Sequence, residues 1–180
     1  MGRTTWTPIE VHKGTGQRYH STLRRGDGVL VRLEGGSYNT VGGPVPRVPH
    51  DIAHLVVERG LGVDRGLWGV LAAGGLVQNA SFVQGRLPPH AKRQAGAVSD
   101  AAGEQLRQAE VLVRLCADVA AAGVPRDLTA LRRTVGERWW SPALTPDALG
   151  DVRRELHTAA RAWDELAPGE ALELAWRGTT

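Results

Sequence analysis

Several residue types are scarce in this chain, and each shortage excludes something. Cysteine occurs once, as Cys116, so neither an internal disulfide nor a multi-cysteine zinc site is possible within the chain. No apolar run approaches the length of a membrane-spanning helix. The start, Met1-Gly2-Arg3-Thr4-Thr5-Trp6, lacks the apolar stretch of a secretory signal. These absences predict a cytoplasmic protein with no membrane partner. Lysine is also nearly missing, with Lys13 and Lys92 the only two, and arginine supplies the other cations. With abundant Ala, Gly, Val and Leu, this usage points to a GC-rich bacterial source.

A formal charge of +3 over 180 residues is no nucleic-acid footprint unless it clusters on one face. In the C-terminal third, Arg132, Arg133, Arg153 and Arg154 interleave with Glu137, Asp151 and Glu155, as on a solvated mixed-sign surface. Nucleic acid is therefore not an expected partner.

What is present reads as one α+β domain over residues 1–180. It has a β-rich part (1–46), a helical part (47–168) and a C-terminal strand (169–180). Gln17 to Leu23 and Val29 to Leu33 flank the turn-forming run Arg24-Arg25-Gly26-Asp27-Gly28 and predict a hairpin. Ser37 to Val41 adds a third strand, and Gly42 to Pro46 a loop. Pro49 suits the first position of a helix that Gly60 and Gly62 stop. Asp64 starts a second, short helix through Ala73. Leu76 to His90 is irregular, with room for a short strand, and closes on Pro88-Pro89. A long amphipathic helix begins at Ser99 and carries Leu106, Ala109, Leu112 or Val113, Cys116 and Val119 at three- and four-residue steps. Two further helices span Asp127 to Trp140 and, behind a Thr145 cap, Pro146 to Leu166. Leu172, Leu174 and Trp176 alternate as a strand that returns to the N-terminal sheet. The expected architecture is a small antiparallel sheet, joined by the C-terminal strand, against about five helices. Cys116 sits on an apolar stripe and reads as core.

The segment with chemistry is Pro49-His50-Asp51-Ile52-Ala53-His54-Leu55-Val56-Val57-Glu58. His50 and His54 stand four residues apart, so a helix stacks them on one face, where two imidazoles can share a divalent metal. Glu58 lies one turn further, too far to join both histidines around an ion but placed to hydrogen-bond His54 and fix its tautomer. Asp51 and Glu58 are the candidate bases. No spacing fixes a third ligand; His90, Glu104 and His157 are the candidates. Trp68, in a glycine-rich setting nearby, is a candidate wall for the same pocket.

The run from Val48 to Glu58, followed by Leu61-Gly62 and Gly66-Leu67-Trp68-Gly69, resembles a set of small uncharacterised bacterial proteins with a PHDxxHxxVE signature. That resemblance spans about residues 45 to 75 and implies no activity. His50-Asp51-Ile52-Ala53-His54 also partly resembles the zincin HExxH motif, but Asp51 replaces the glutamate base and no downstream ligand follows, which argues against proteolysis. An HD-type phosphohydrolase would need a further histidine on a neighbouring helix, whereas His20 falls on an expected strand.

The sequence thus predicts a divalent transition-metal site, with zinc the leading metal, in a small hydrolase or lyase acting on a small molecule or peptide. The competing reading is a non-enzymatic module that binds another protein, its His/Asp/Glu cluster purely structural.

Overall fold

The computed structural model describes residues 4–45, 47–87 and 89–179. Residues 1–3, 46, 88 and 180 lie outside the described residues; the expected loop ending at Pro46 and the Pro88-Pro89 closure each include one of them.

Five strands form an antiparallel sheet in the order β6-β3-β2-β1-β7, built from β1 (Thr4–Lys13), β2 (Tyr19–Arg24), β3 (Leu30–Gly35), β6 (Ala80–Gln84) and β7 (Ala171–Thr179). The C-terminal strand does return: β7 pairs with β1 from Thr4↔Thr179 to His12↔Ala171. Ile9, Val11, Tyr19, Ser21, Leu23, Val31 and Leu33 alternate onto one buried face, the period-two signature of a half-covered sheet. The strand expected at Ser37 to Val41 is β4 (Tyr38–Thr40), but it is not in this sheet. It pairs with β5 (Arg47–Pro49) in a separate two-stranded ribbon, because β6 occupies the edge of β3. The nominally helical part of the sequence therefore contributes a strand to the main sheet.

Five helices complete the fold: α1 (His50–Leu61), α2 (Leu67–Ala72), α3 (Ala91–Ala122), α4 (Thr129–Val135) and α5 (Pro146–Glu165). Pro49 precedes α1 instead of opening it, since its extended backbone (φ −50°, ψ 138°) still pairs with Tyr38. Helix α3 starts eight residues before Ser99; the stretch from Ala91 lacks a full apolar stripe, but Ala, Lys, Arg and Gln favour helix without one. Helix α4 stops at Gly136 (φ 82°), well short of Trp140. Thr145 caps α5 as expected, its hydroxyl accepting from the Ala148 amide at 3.1 Å.

Helix α1 is the centre of the domain. Nearly every residue from Asp51 to Glu58 is buried, because the sheet covers one side and α3 and α5 cover the other. Gly62 ends the helix in the left-handed conformation (φ 65°). Gly60 does not stop it; a Cβ there would lie 2.6 Å from Val152 Cγ2, so glycine lets α5 pack closely. Cys116 is core, and burial pushes its thiol up to about 12.

Candidate metal centre

Helix periodicity puts His50 and His54 on the flank of α1 that faces α3. Their rings meet edge to face, with the two Nε2 atoms 3.1 Å apart. Glu110, from the middle of α3, brings its carboxylate over both: Oε2 lies 3.4 Å from His50 Nε2 and Oε1 3.3 Å from His54 Nε2. These three side chains form a group that can hold a metal ion.

The other ring nitrogens are already committed. His50 Nδ1 lies 2.8 Å from Asn39 Oδ1 and donates to it, and His54 Nδ1 donates to Glu58 Oε1 at 2.8 Å. Both imidazoles are thereby fixed in the tautomer that leaves an Nε2 lone pair, and the two lone pairs face one another. A cation between them, or a proton on one, relieves that opposition. Burial alone would keep His54 neutral, but its hydrogen bonds to Glu110 and Glu58 outweigh this and raise its pKa to about 9. The same bonds from His50 and His54 hold the Glu110 carboxyl well below the usual carboxylate range.

Glu58 is completely buried, and its ion-pair partner among the described residues is His54, not a lysine or arginine. Its compensation comes from the start of α2. The Leu67 amide donates to Oε1 at 2.6 Å and the Trp68 amide to Oε2 at 3.1 Å, so Glu58 caps a helix that has no side-chain cap of its own. The expected Asp64 cap is therefore replaced by a residue of another helix. Gly66 makes this possible: a Cβ there would sit 2.2 Å from the Glu58 carboxyl carbon. The carboxylate is thus pinned on one side and orients His54 on the other.

Asp51 is turned a different way. Its carboxylate accepts the Ser21 hydroxyl at 2.6 Å and lies 3.2 Å from the Tyr19 hydroxyl, both from β2. Burial pushes the Asp51 carboxyl up, partly offset by these two hydrogen bonds. Burial and the Asp51 charge also push the Tyr19 phenol up.

The third member of the group, Glu110, was not among the residues expected from the sequence. His90 lies exposed at the start of α3, Glu104 pairs with Arg138 at 3.1 Å, and His157 donates to the Ala120 carbonyl at 3.0 Å. Trp68 does not wall the site. It is buried in the core, its indole N–H donating to the Asp51 carbonyl at 2.8 Å. The available signal for Glu110 was a carboxylate embedded in the apolar stripe of α3, between Ala109 and Leu112. Asn39, which orients His50, gave no signal.

Access is one-sided. The His54 side chain is 1% exposed, against 28% for His50 and 62% for Glu110. His50 and Glu110 together line two adjoining hollows. One of about 560 Å³ runs past Asn39, Thr40, Arg114 and Asp118, and one of about 640 Å³ runs past Glu34, Gly36 and Asn79. His50 and Glu110 of the candidate metal-holding group sit where the two hollows share residues. The chain matches no model of a known protein family, no curated protein and no solved structure. No helix among the described residues is long and apolar enough to cross a membrane.

Proposed function

We propose that this protein is a divalent-metal protein in which His50 Nε2, His54 Nε2 and the Glu110 carboxylate bind a transition metal, zinc first among them. The observation that carries the reading is the ligand triangle. Two nitrogens and a carboxylate at zinc bond lengths, arranged tetrahedrally, stand about 3.3 Å from one another. Here the two Nε2 atoms are 3.1 Å apart, Glu110 sets one oxygen 3.4 Å from His50 Nε2 and the other 3.3 Å from His54 Nε2, and one ligand atom from each residue lies within 4.8 Å of the others. Asn39 and Glu58 act as the outer partners that fix ring orientation, an arrangement typical of metal-ligating histidines.

Three protein ligands leave a coordination position for water or substrate, the pattern of catalytic and not of structural zinc. A metal there would supply Lewis acidity and a water ionised near neutral pH. The hollows on either side of His50 and Glu110 suit the two halves of a small molecule or short peptide cleaved or eliminated at the metal. This favours a small hydrolase or lyase. Asp51 and Glu58 have their carboxylates engaged by Ser21 and Tyr19 and by Leu67, Trp68 and His54. Glu110 is then the carboxylate with an open face toward the groove, able to accept a proton with the oxygen not bound to the metal.

Metal analysis of protein purified without a histidine tag tests the assignment. Wild type should retain about one zinc per chain after dialysis, and His50→Ala/His54→Ala should retain none. Equally negligible zinc, iron, manganese, nickel and cobalt in both proteins would sink it.

One observation favours a second reading. A second proton on His54, carried by Nε2 toward Glu110 while Nδ1–H donates to Glu58, satisfies the cluster without any metal. In that case the cluster is structural and the domain binds another protein. His54→Ala would then lower the melting temperature of a protein that never carried metal.

A further inference from the structure

The larger cavity of the molecule shares no residue with the metal centre. It encloses about 910 Å³ between the sheet end, α2 and the N-terminal half of α3. Trp6 and Pro8 of β1, Trp176 of β7, Val70 of α2, and Val98 and Ala101 of α3 give it apolar walls. A smaller hollow continues it through the shared Arg25, Ala73 and Val98 to Phe82 and Leu87. Cavities that bind small molecules run from about 300 to 1,000 Å³ and are mostly apolar with few polar groups.

Two further observations say what fits. The exposed large hydrophobic residues among those described are Trp6, Val83 and Leu87; Trp6 (58%) lines this cavity and Leu87 (37%) lines the smaller hollow that shares three residues with it. Indole and leucine surface left in water along two adjoining apolar hollows is what an elongated apolar ligand would cover. Charge supplies the rest. Arg24, Arg25 and Arg65 line the cavity against the single carboxylate of Asp64. Arg25 is held by Asp27 at 2.6 Å, which leaves Arg24 and Arg65 to meet a ligand. Guanidinium groups at the rim of an apolar slot select an anionic head, since their fork of donors matches carboxylate and phosphate.

We propose that this cleft is a binding site for an anionic amphiphile: a chain-like apolar body lying along Val70, Val98 and Ala101, with a carboxylate or phosphate head on Arg24 and Arg65. The site is independent of the metal-centre reading and does not require it. A second copy of this chain would engage the same face differently, and the test separates the two.

Calorimetric titrations of the full chain with decanoate, decyl phosphate, decanol and decyltrimethylammonium, each below its micelle concentration, read the head-group preference. Saturable binding of decanoate, decyl phosphate or both, at least tenfold tighter than decanol and with no binding of the cation, is expected. Which of the two anions binds tighter identifies the head. Arg24→Ser/Arg65→Ser should reduce the anion affinity about tenfold or more while leaving decanol unchanged. Ala101→Trp, at an exposed helix position, should block all binding while preserving the melting temperature and the zinc content. No saturable binding of any probe overturns the proposal, as does equal binding of decanoate and the cation. Concentration-dependent dimerisation abolished by Ala101→Trp, with no probe competing, would overturn it in favour of a second copy.

Discussion

Helix α1 carries two polar clusters within its first two turns, one buried and one open on one side. Toward the sheet, Asp51 meets Ser21 and Tyr19; toward α3, His50 and His54 meet Glu110. The first cluster closes on itself. The Ser21 hydroxyl donates to one Asp51 oxygen, and the single Tyr19 hydroxyl proton is divided between the other, at 3.2 Å, and the Ser37 carbonyl, at 3.0 Å. The second is satisfied on its outer side only: Asn39 and Glu58 hold the Nδ1 atoms, and the Nε2 atoms are aimed at one another beside a groove. Each cluster holds a buried polar side chain of α1, Asp51 or His54, but the histidine cluster is open on one side, with His50 28% and Glu110 62% exposed. What separates them is where the unused bonding capacity points. In the Asp51 cluster little is left over; in the histidine cluster two Nε2 atoms and a carboxylate converge beside a groove.

The largest effect expected from this difference is a pH dependence. With a pKa of about 9 instead of 6.5, His54 keeps its proton through neutral pH in the metal-free fold, and that proton must leave before Nε2 can bind metal. Zinc affinity should rise about tenfold per pH unit as the proton is displaced more easily, up to the raised pKa. The stability that the protonated His54 gives the metal-free fold runs the opposite way. Its pKa is higher folded than unfolded, so the contribution is complete below pH 6.5 and is lost as pH rises through about 9. Zinc titrations and thermal melts in chelator at stepped pH check both slopes. Two flat profiles would put the histidine cluster in the same class as the Asp51 cluster.

Next in size is the outer partner. Glu58→Gln keeps the shape but weakens the hold on His54 Nδ1, and zinc affinity should fall about 10- to 100-fold. Competition titration with a chromophoric chelator reads this. An unchanged affinity would mean that Glu58 serves only to cap α2. The smallest effect belongs to the closed cluster. Ser21→Ala removes the 2.6 Å hydrogen bond to Asp51 and should destabilise the fold by about 1–3 kcal/mol in urea unfolding, with zinc affinity unchanged. A loss of zinc in that variant would show that the two sides of α1 are coupled.

Much of the fold was legible because it rests on periodicity. The β2–β3 hairpin, the capped α5 and the return of β7 follow from alternation, turn glycines and the Thr145-Pro146 cap, all readable within a short window. The separate β4–β5 ribbon was not legible, since pairing depends on which edge is free in three dimensions. At the candidate site the same division holds. His50, His54 and Glu58 share one helix, and a four-residue step fixes their neighbourhood. Glu110 enters from a helix more than fifty residues away, and in the sequence it is one carboxylate among many.

The sequence by itself therefore determined the two imidazoles, their common face and the carboxylate behind His54, because helix geometry converts spacing directly into position. Only the tertiary structure decided the rest. The packing of α3 on α1 brought in Glu110, β4 brought Asn39 to His50, and Gly66 let the start of α2 settle on Glu58. Local spacing reaches one or two turns, whereas a site open on one side and braced on the other is made where separate elements meet.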